Sequence, residues 1–438
     1  MTLLQRLALD RKATRAWVMY DWANSAFVTI VVAAVFPPWF VALAAGGSAS
    51  EPVRAAATGR LSLITTIALT ISAIVSPALG AIGDRAPIKK PMIAAFTVAG
   101  AAATAGLWFV GDGDAGLALL LFAIGNIAVN GAFVFYDGLL PHVARPDEMD
   151  RVSTAGYALG YLGGGALLAV SVALILRPHA FGLAGAGTAI RLSFVMTAGW
   201  WLVFAIPLMR HVPEPEIPAG RRAHGAAAIR AGLTDLRHAW RLLRQFPEAG
   251  KLLLAFLIYN DGIGTIIRMA TAYGEEIGLA QADLIVALLI VQLVGIPASF
   301  GFGYAAGWIG TRSAIFVGLA AYTAVSVFGY FMTRALHFFV LAGLVGLIQG
   351  GVQALSRSLF ASLIPRHRSS ELFGLFAVFE KFAGIFGPAM FWLANEAFGS
   401  SRPAILAVMA FFVGGGALLA RVSVDAGQRA ARAAEPAA

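Results

Sequence analysis

The residues whose types and spacing could do chemistry in this 438-residue chain are ionisable and amide side chains set inside long apolar runs. A charge at membrane depth is costly and normally faces a cavity or a partner. Asp21 and Asn24 lie in the first such run, Asn126, Asn130 and Asp137 in the fourth, Asn260, Asp261 and Arg268 in the seventh, and Gln349, Gln353, Ser356 and Arg357 in the tenth. Glu380 and Lys381 stand together in the eleventh. At about 100° per helical residue, Asn126, Asn130 and Asp137 fall within about 40° of one face, and the four polar residues of the tenth run within about 100°. Such groups can bind a polar solute by hydrogen bonds and ion pairs and can exchange a proton at a carboxylate. A zwitterion needs both a carboxylate and a cation in a dry site, and Asp21 or Asp261 with Arg357 or Arg268 would supply them. The competing role is structural. Amides bond neighbouring helices, Asp261 can pair with Arg268 two turns along its own helix, and Arg357 is a candidate partner for Glu380, as a structural ion pair or as a coupling element.

The elements that position these residues are membrane spans. The chain is 59% hydrophobic and 13% charged, with a mean hydropathy of +0.78, against about 25% charged residues in soluble domains. Apolar runs near 17–43, 59–82, 91–110, 116–140, 152–176, 190–209, 250–271, 283–306, 313–333, 337–362, 372–396 and 403–420 are each long enough to cross a bilayer, which takes about 20 residues. The expected fold is an all-α membrane protein of about twelve helices. The polar stripes then fall on the first helices of four three-span units, and four stripes on equivalent helices favour a shared polar cavity over isolated helix-helix bonds. Glycine-rich stretches in the fifth span (Gly156, Gly160, Gly163, Gly164, Gly165) and the eleventh (Gly384, Gly387, Pro388) read as packing surfaces, between the halves.

The basic balance, +9 overall, follows membrane topology and not a nucleic-acid surface, because the cations lie in short loops. With both termini cytoplasmic, 23 of the 32 lysines and arginines fall on the inside and six on the outside, so the positive-inside rule sets the orientation. The basic N-terminus leads into a run too long for a signal-peptide core and stays as the first span. The chain divides into an N-terminal six-helix bundle (1–209), a cytoplasmic linker (210–249) and a C-terminal bundle with a short tail (250–438). The linker opens with Pro213, Pro215 and Pro218. It continues with Ile229, Leu233, Leu236, Trp240 and Leu243 at steps of four and three among Arg230, Arg237, Arg241 and Arg244. That pattern is a basic amphipathic helix for the inner membrane surface. There is no cysteine, which removes thiol chemistry, and the seven histidines never fall at ligand spacing. The runs Gly163-Gly-Gly165 and Gly414-Gly-Gly416 lack the lysine of a phosphate-binding loop. The expectation is no enzyme, no cofactor and no metal.

The halves echo one another, Gly80-Ala-Ile-Gly-Asp84 with Gly303-Tyr-Ala-Ala-Gly307 and Leu139-Leu-Pro141 with Leu363-Ile-Pro365, the sequence trace of an internally duplicated transporter. Gly80, Asp84 and Arg85, followed by Lys89 and Lys90, resemble the loop motif of the major facilitator superfamily, with Pro87 and Ile88 where that motif carries glycine and a basic residue. The stretches 20–27 (YDWANSAF), 256–262 (FLIYNDG) and 350–358 (GGVQALSRS) look like the subfamily related to the autophagy-linked vacuolar amino-acid effluxer of fungi. That resemblance implies two pseudo-symmetric six-helix bundles, alternating access, a path lined by the first helices of the four triplets, and a cytoplasmic gate at Gly80, Asp84 and Arg85. The expected function is secondary transport of a small polar solute, an amino acid by the resemblance, coupled to protons, in a bacterial inner membrane. The expected partners are that solute, protons and the lipid bilayer, with no nucleic acid. A permease for another solute class and a solute sensor without net transport stay open.

Overall fold

A computed structural model describes residues 9–46, 50–83, 85–145, 149–215, 225–365 and 369–434. Among the described residues the chain is helical, without strands. The first span starts as α1 (Lys12–Phe27), loosens into a π-helical stretch (Val28–Ala34), and resumes as α2 (Phe36–Ala44). The π stretch ends where Pro37 and Pro38, which have no N–H to continue the ladder, open α2, and Val35 N–H bonds Ile30 O at 2.8 Å. There follow α3 (Glu51–Gly83), α4 (Lys89–Gly106), α5 (Ala115–Asp137), a single turn (Leu140–Val143), α6 (Met149–Leu176) and α7 (Ala186–His211). The linker helix is α8 (Gly225–Leu243). The rest of the chain forms α9 (Pro247–Glu276), α10 (Gln281–Ile309), α11 (Thr311–Tyr330), α12 (Ala335–Ser362), α13 (Ser369–Phe382), α14 (Phe386–Phe398), α15 (Arg402–Ala420) and α16 (Val424–Ala433).

Ten helices among the described residues are long and apolar enough to cross a membrane. Two expected spans are not among the ten. The run 283–306 lies in α10, of which Gln281–Gly295 counts as a shorter apolar helix. The run 372–396 is broken into α13 and α14. Gly384 at the break takes φ +97°, a conformation that favours glycine, and Pro388 has no N–H to return to Gly384. Large apolar side chains such as Phe109, Trp308, Leu336 and Phe398 are exposed, as a surface solvated by lipid tails requires.

The chain forms two compact units, Met1–Ser48 with Ile74–Leu233 and Gln281–Leu289, and Ala49–Ala73 with Thr234–Ala280 and Ile290–Ala438. In the first, α1 packs on α6 and α7, and α4 on α5 and α7. The glycines of α6 permit the close approach. A Cβ at Gly163 would stand 2.6 Å from Trp22 O, and one at Gly164 would stand 3.0 Å from Ser25 O. This glycine face therefore meets α1 of its own unit, where the sequence had suggested a surface between halves. Trp17 stacks on Tyr136 at 4.4 Å and donates its indole N–H to Tyr136 O. In the second unit, α9 packs on α15, and α11 on α12 and α15. The end of the linker helix is held by Trp240, stacked on Phe379 of α13 at 6.1 Å.

Candidate functional site

In the first unit, Asp21 sits on α1 with its Oδ2 accepting the Tyr136 hydroxyl at 2.7 Å. A Cβ at Gly156 would overlap the same carboxylate, so the glycine leaves it room. One turn on, Asn24 is fully buried, and neither its Oδ1 nor its Nδ2 finds a partner. Asn126 is buried and donates to Phe122 O, and Asn130 donates to Asn126 O at 2.8 Å. Asp137, which the helical wheel put on the same stripe, is exposed at the end of α5.

Asp84 lies outside the described residues. Gly80 faces Val134, and Arg85 N–H bonds Ile82 O at 3.1 Å in the turn after α3. The following helix is held by a group the sequence did not single out. Both oxygens of Glu214, from the proline-rich linker, accept the backbone N–H groups of Lys89 and Lys90 at 2.6 and 2.9 Å. A carboxylate at a helix N-terminus satisfies orphan donors and complements the helix dipole.

The second unit holds the densest polar arrangement. Asn260 Oδ1 accepts Gln353 Nε2 at 3.4 Å, and the Tyr259 and Ser356 hydroxyls are 2.5 Å apart. These contacts join α9 to α12. Gln349 is half-buried on the same helix. Asp261, 1% exposed, spans the break between α13 and α14. Its Oδ1 accepts Gly387 N–H at 2.8 Å and its Oδ2 accepts Phe386 N–H at 3.1 Å, while the Thr265 hydroxyl stands 3.5 Å from Oδ1. A carboxylate of one helix thus caps the start of another. The approach needs Gly387, because a Cβ there would overlap the Thr265 hydroxyl.

Arg268 lies two turns beyond Asp261 on α9. Its Nη1 donates to Gly264 O at 3.3 Å, its Nε is buried without a partner, and a Cβ at Gly384 would stand 3.1 Å from Nη1. The guanidinium therefore sits at the break, beside the glycine that makes it. Arg357, by contrast, is 3.9 Å from Glu380, both side chains more than a third exposed, so the pairing anticipated from sequence is present at the long end of ion-pair distance. Of the expected residues the structure brings together Asn126 with Asn130 in one unit, and Asn260 with Gln353, Asp261 with Arg268 and Arg357 with Glu380 in the other.

Sequence reasoning missed Glu275 and Glu276. The apolar run was closed at residue 271, yet α9 continues to Glu276 and both acids are buried. The one sequence signal for a longer helix was that no proline follows before Pro297. No group of three or more His, Cys, Asp or Glu suited to a metal occurs among the described residues.

Among the described residues the chain is helical, with ten helices long and apolar enough to cross a membrane, and the comparisons define its class as an MFS-type transporter. A D-xylose–proton symporter superposes with a TM-score of 0.64 at 15% identity, covering 94% of this chain and 97% of that one. The nucleoside transporter NupG gives 0.61 at 12%, over 92% and 99%. The MFS-type transporter YxiO of Bacillus subtilis (strain 168) is 36% identical over 94% of this chain and 95% of its own length. The chain belongs to the family described as "Vacuole effluxer Atg22 like", which matches residues 9–432. Autophagy-related protein 22-1 of Penicillium rubens is 27% identical over 64% of this chain, which spans about half (50%) of that fungal relative. The chain is an integral membrane protein, as its apolar helices and transporter relatives show.

Proposed function

We propose that this protein is a secondary transporter that moves a small polar solute bearing a carboxylate, an amino acid being the favoured class, by alternating access and in exchange with protons across a bacterial inner membrane, both termini inside. The family match to vacuole effluxers supports efflux chemistry, and the relative in Bacillus subtilis supports a bacterial membrane. The observation that carries the reading is the pairing of functions on α9. Asp261 is held by the N-terminus of a helix that begins at a break, and Arg268 places an incompletely bonded guanidinium at the same break. Broken helices in transporters form sites where backbone and side chains meet a substrate.

Arg268 would take the carboxylate of the solute, since a guanidinium offers paired donors in a plane. Arg357, the other guanidinium that the sequence offers for that role, faces Glu380. Asp261 has two ways to be compensated in a dry setting, backbone N–H donors or a proton. A conformational change that moves α14 would exchange one for the other. Asn260 with Gln353, and in the first unit Asp21, Asn24, Asn126 and Asn130, would supply the remaining polar lining, with Gly80, Asp84 and Arg85 as the cytoplasmic gate.

The test is uptake of a tritiated amino-acid mixture into proteoliposomes carrying the purified protein, with and without an imposed pH gradient. Accumulation that follows the gradient and collapses with a proton ionophore supports the reading. Uptake of nucleosides or sugars but of no amino acid contradicts the substrate class.

A further inference from the structure

Buried acids at the far end of α9 are left unused by that mechanism, and they meet the start of α3. Arg54 Nη1 lies 3.2 Å from Glu275 Oε1 and donates to Glu275 O at 2.8 Å. Glu276, 1% exposed, accepts Ser401 N–H at 2.7 Å and the Ser401 hydroxyl at 2.5 Å. Asn395 of α14 donates to that same hydroxyl at 2.7 Å. Arg402 Nε stands 3.5 Å from Glu51 Oε1. From here α3 runs alongside the helices of its unit toward the break. A Cβ at Gly59 would be 3.1 Å from Asn395 Cβ, Ser62 Oγ is 4.0 Å from Met269 Sδ, and a Cβ at Gly384 would be 3.9 Å from Leu69.

We propose that Arg54, Glu275, Glu276 and the Ser401 turn form an outer latch, which holds residues 51–69 of α3 over the path from the outside to Arg268 and must part for that path to open. Three features argue for a contact that separates. The helix that it fastens is shared: residues 51–73 belong to the second unit and residues 74–83 to the first. The contacts include two ion pairs, Arg54 with Glu275 and Arg402 with Glu51, and approaches at two small residues, Gly59 and Ser62. Buried ion pairs add little net stability over apolar packing and are best attested in registry and switching. Finally, Glu275 Oε2 and Asn395 Oδ1 are buried without partners, so water gained on opening would satisfy acceptors that the closed form leaves bare.

The latch rests on the transport reading for its purpose, but it can be tested without any solute. In the cysteine-free chain, Ser62→Cys places a thiol in the seam, and a membrane-impermeant maleimide is applied to intact cells. Labelling is expected to be slow with the latch intact. With Glu276→Gln or Arg54→Ala it should speed up by about tenfold, the population change expected from losing one charge-assisted bond. Exchanging the charges, Arg54→Glu with Glu275→Arg, should restore slow labelling, which a misfolded protein could not do. Unchanged labelling in variants that elute as the unaltered protein does in gel filtration overturns the latch. Faster labelling confined to inverted vesicles overturns its assignment to the outside. If labelling responds as expected while tritiated amino acids are not carried, the latch stands and the substrate assignment falls.

Discussion

The carboxylate of Asp261 in α9 accepts the backbone N–H of Gly387 at 2.8 Å, so a side chain in one span fixes the start of a helix 126 residues further along the chain. The contact exists because three local facts coincide. Gly384 turns the chain at positive φ, Pro388 cannot continue the ladder from α13, and Gly387 has no Cβ to collide with Thr265.

Gly387→Ala should therefore lower stability by about 2–3 kcal/mol, the usual cost of forcing a methyl into a filled site. Thr265→Ala in the same chain should recover part of it, because the hydroxyl and methyl that the new side chain strikes are gone while the Cβ of residue 265, 2.5 Å away, remains. Thermal melts of the detergent-purified single and double variants check this. Simple additivity would show that the two residues do not touch.

Arg268→Lys keeps the charge and loses the planar fork, and should weaken binding of an amino acid by about tenfold, the order set by losing one charge-assisted bond. Arg357→Lys should change affinity little, since its guanidinium faces Glu380 across 3.9 Å. Calorimetric titration of both variants with an amino acid that the unaltered protein carries would distinguish them, and the opposite ranking would return the anion-binding role to Arg357.

Asn24 buries an amide with no partner for either atom, which costs free energy in the folded state. Replacing it with Leu should raise the melting midpoint, by about 1–2 kcal/mol of stability, while transport falls. That combination marks a polar group retained for function at the expense of stability. A loss of both would mark a structural amide.

How much of this was legible in the sequence depended on whether the signal was local. Ten of the expected spans and the family resemblance at Tyr20, Asn260 and Gln353 were readable from pattern, because apolar length and short motifs are properties of short stretches. Gly384, Gly387 and Pro388 were also visible, yet they looked like a packing surface. Small residues serve close packing and helix breaks equally, and only the arrival of Asp261 from another helix decides between them. Glu275 and Glu276 resembled loop acids for the same reason, since their partners Arg54 and Ser401 are far away in the chain. Asp137 shares the face of Asn126 and Asn130 but closes its helix, because a helical wheel gives direction around the axis and not position along it.

The orientation inferred from charge gives a direct expectation. A cysteine introduced at Gly225 should resist an impermeant thiol reagent applied to intact cells, and one at Ser48 should react. Twenty-three inward cations against six leave little room for the reverse. Reaction at 225 with protection at 48 would invert the whole topology.

The most direct measurement of the central claim is the behaviour of Asp261→Asn in proteoliposomes. Asparagine keeps the shape and one acceptor for the N–H groups of Phe386 and Gly387, but it cannot take up a proton. The protein should still exchange a tritiated amino acid for an unlabelled one across the bilayer, and should no longer accumulate it when a pH gradient is imposed. If Asp261→Asn folds, accumulates the amino acid against its gradient and keeps the pH profile of the unaltered protein, then Asp261 anchors a helix and carries no proton.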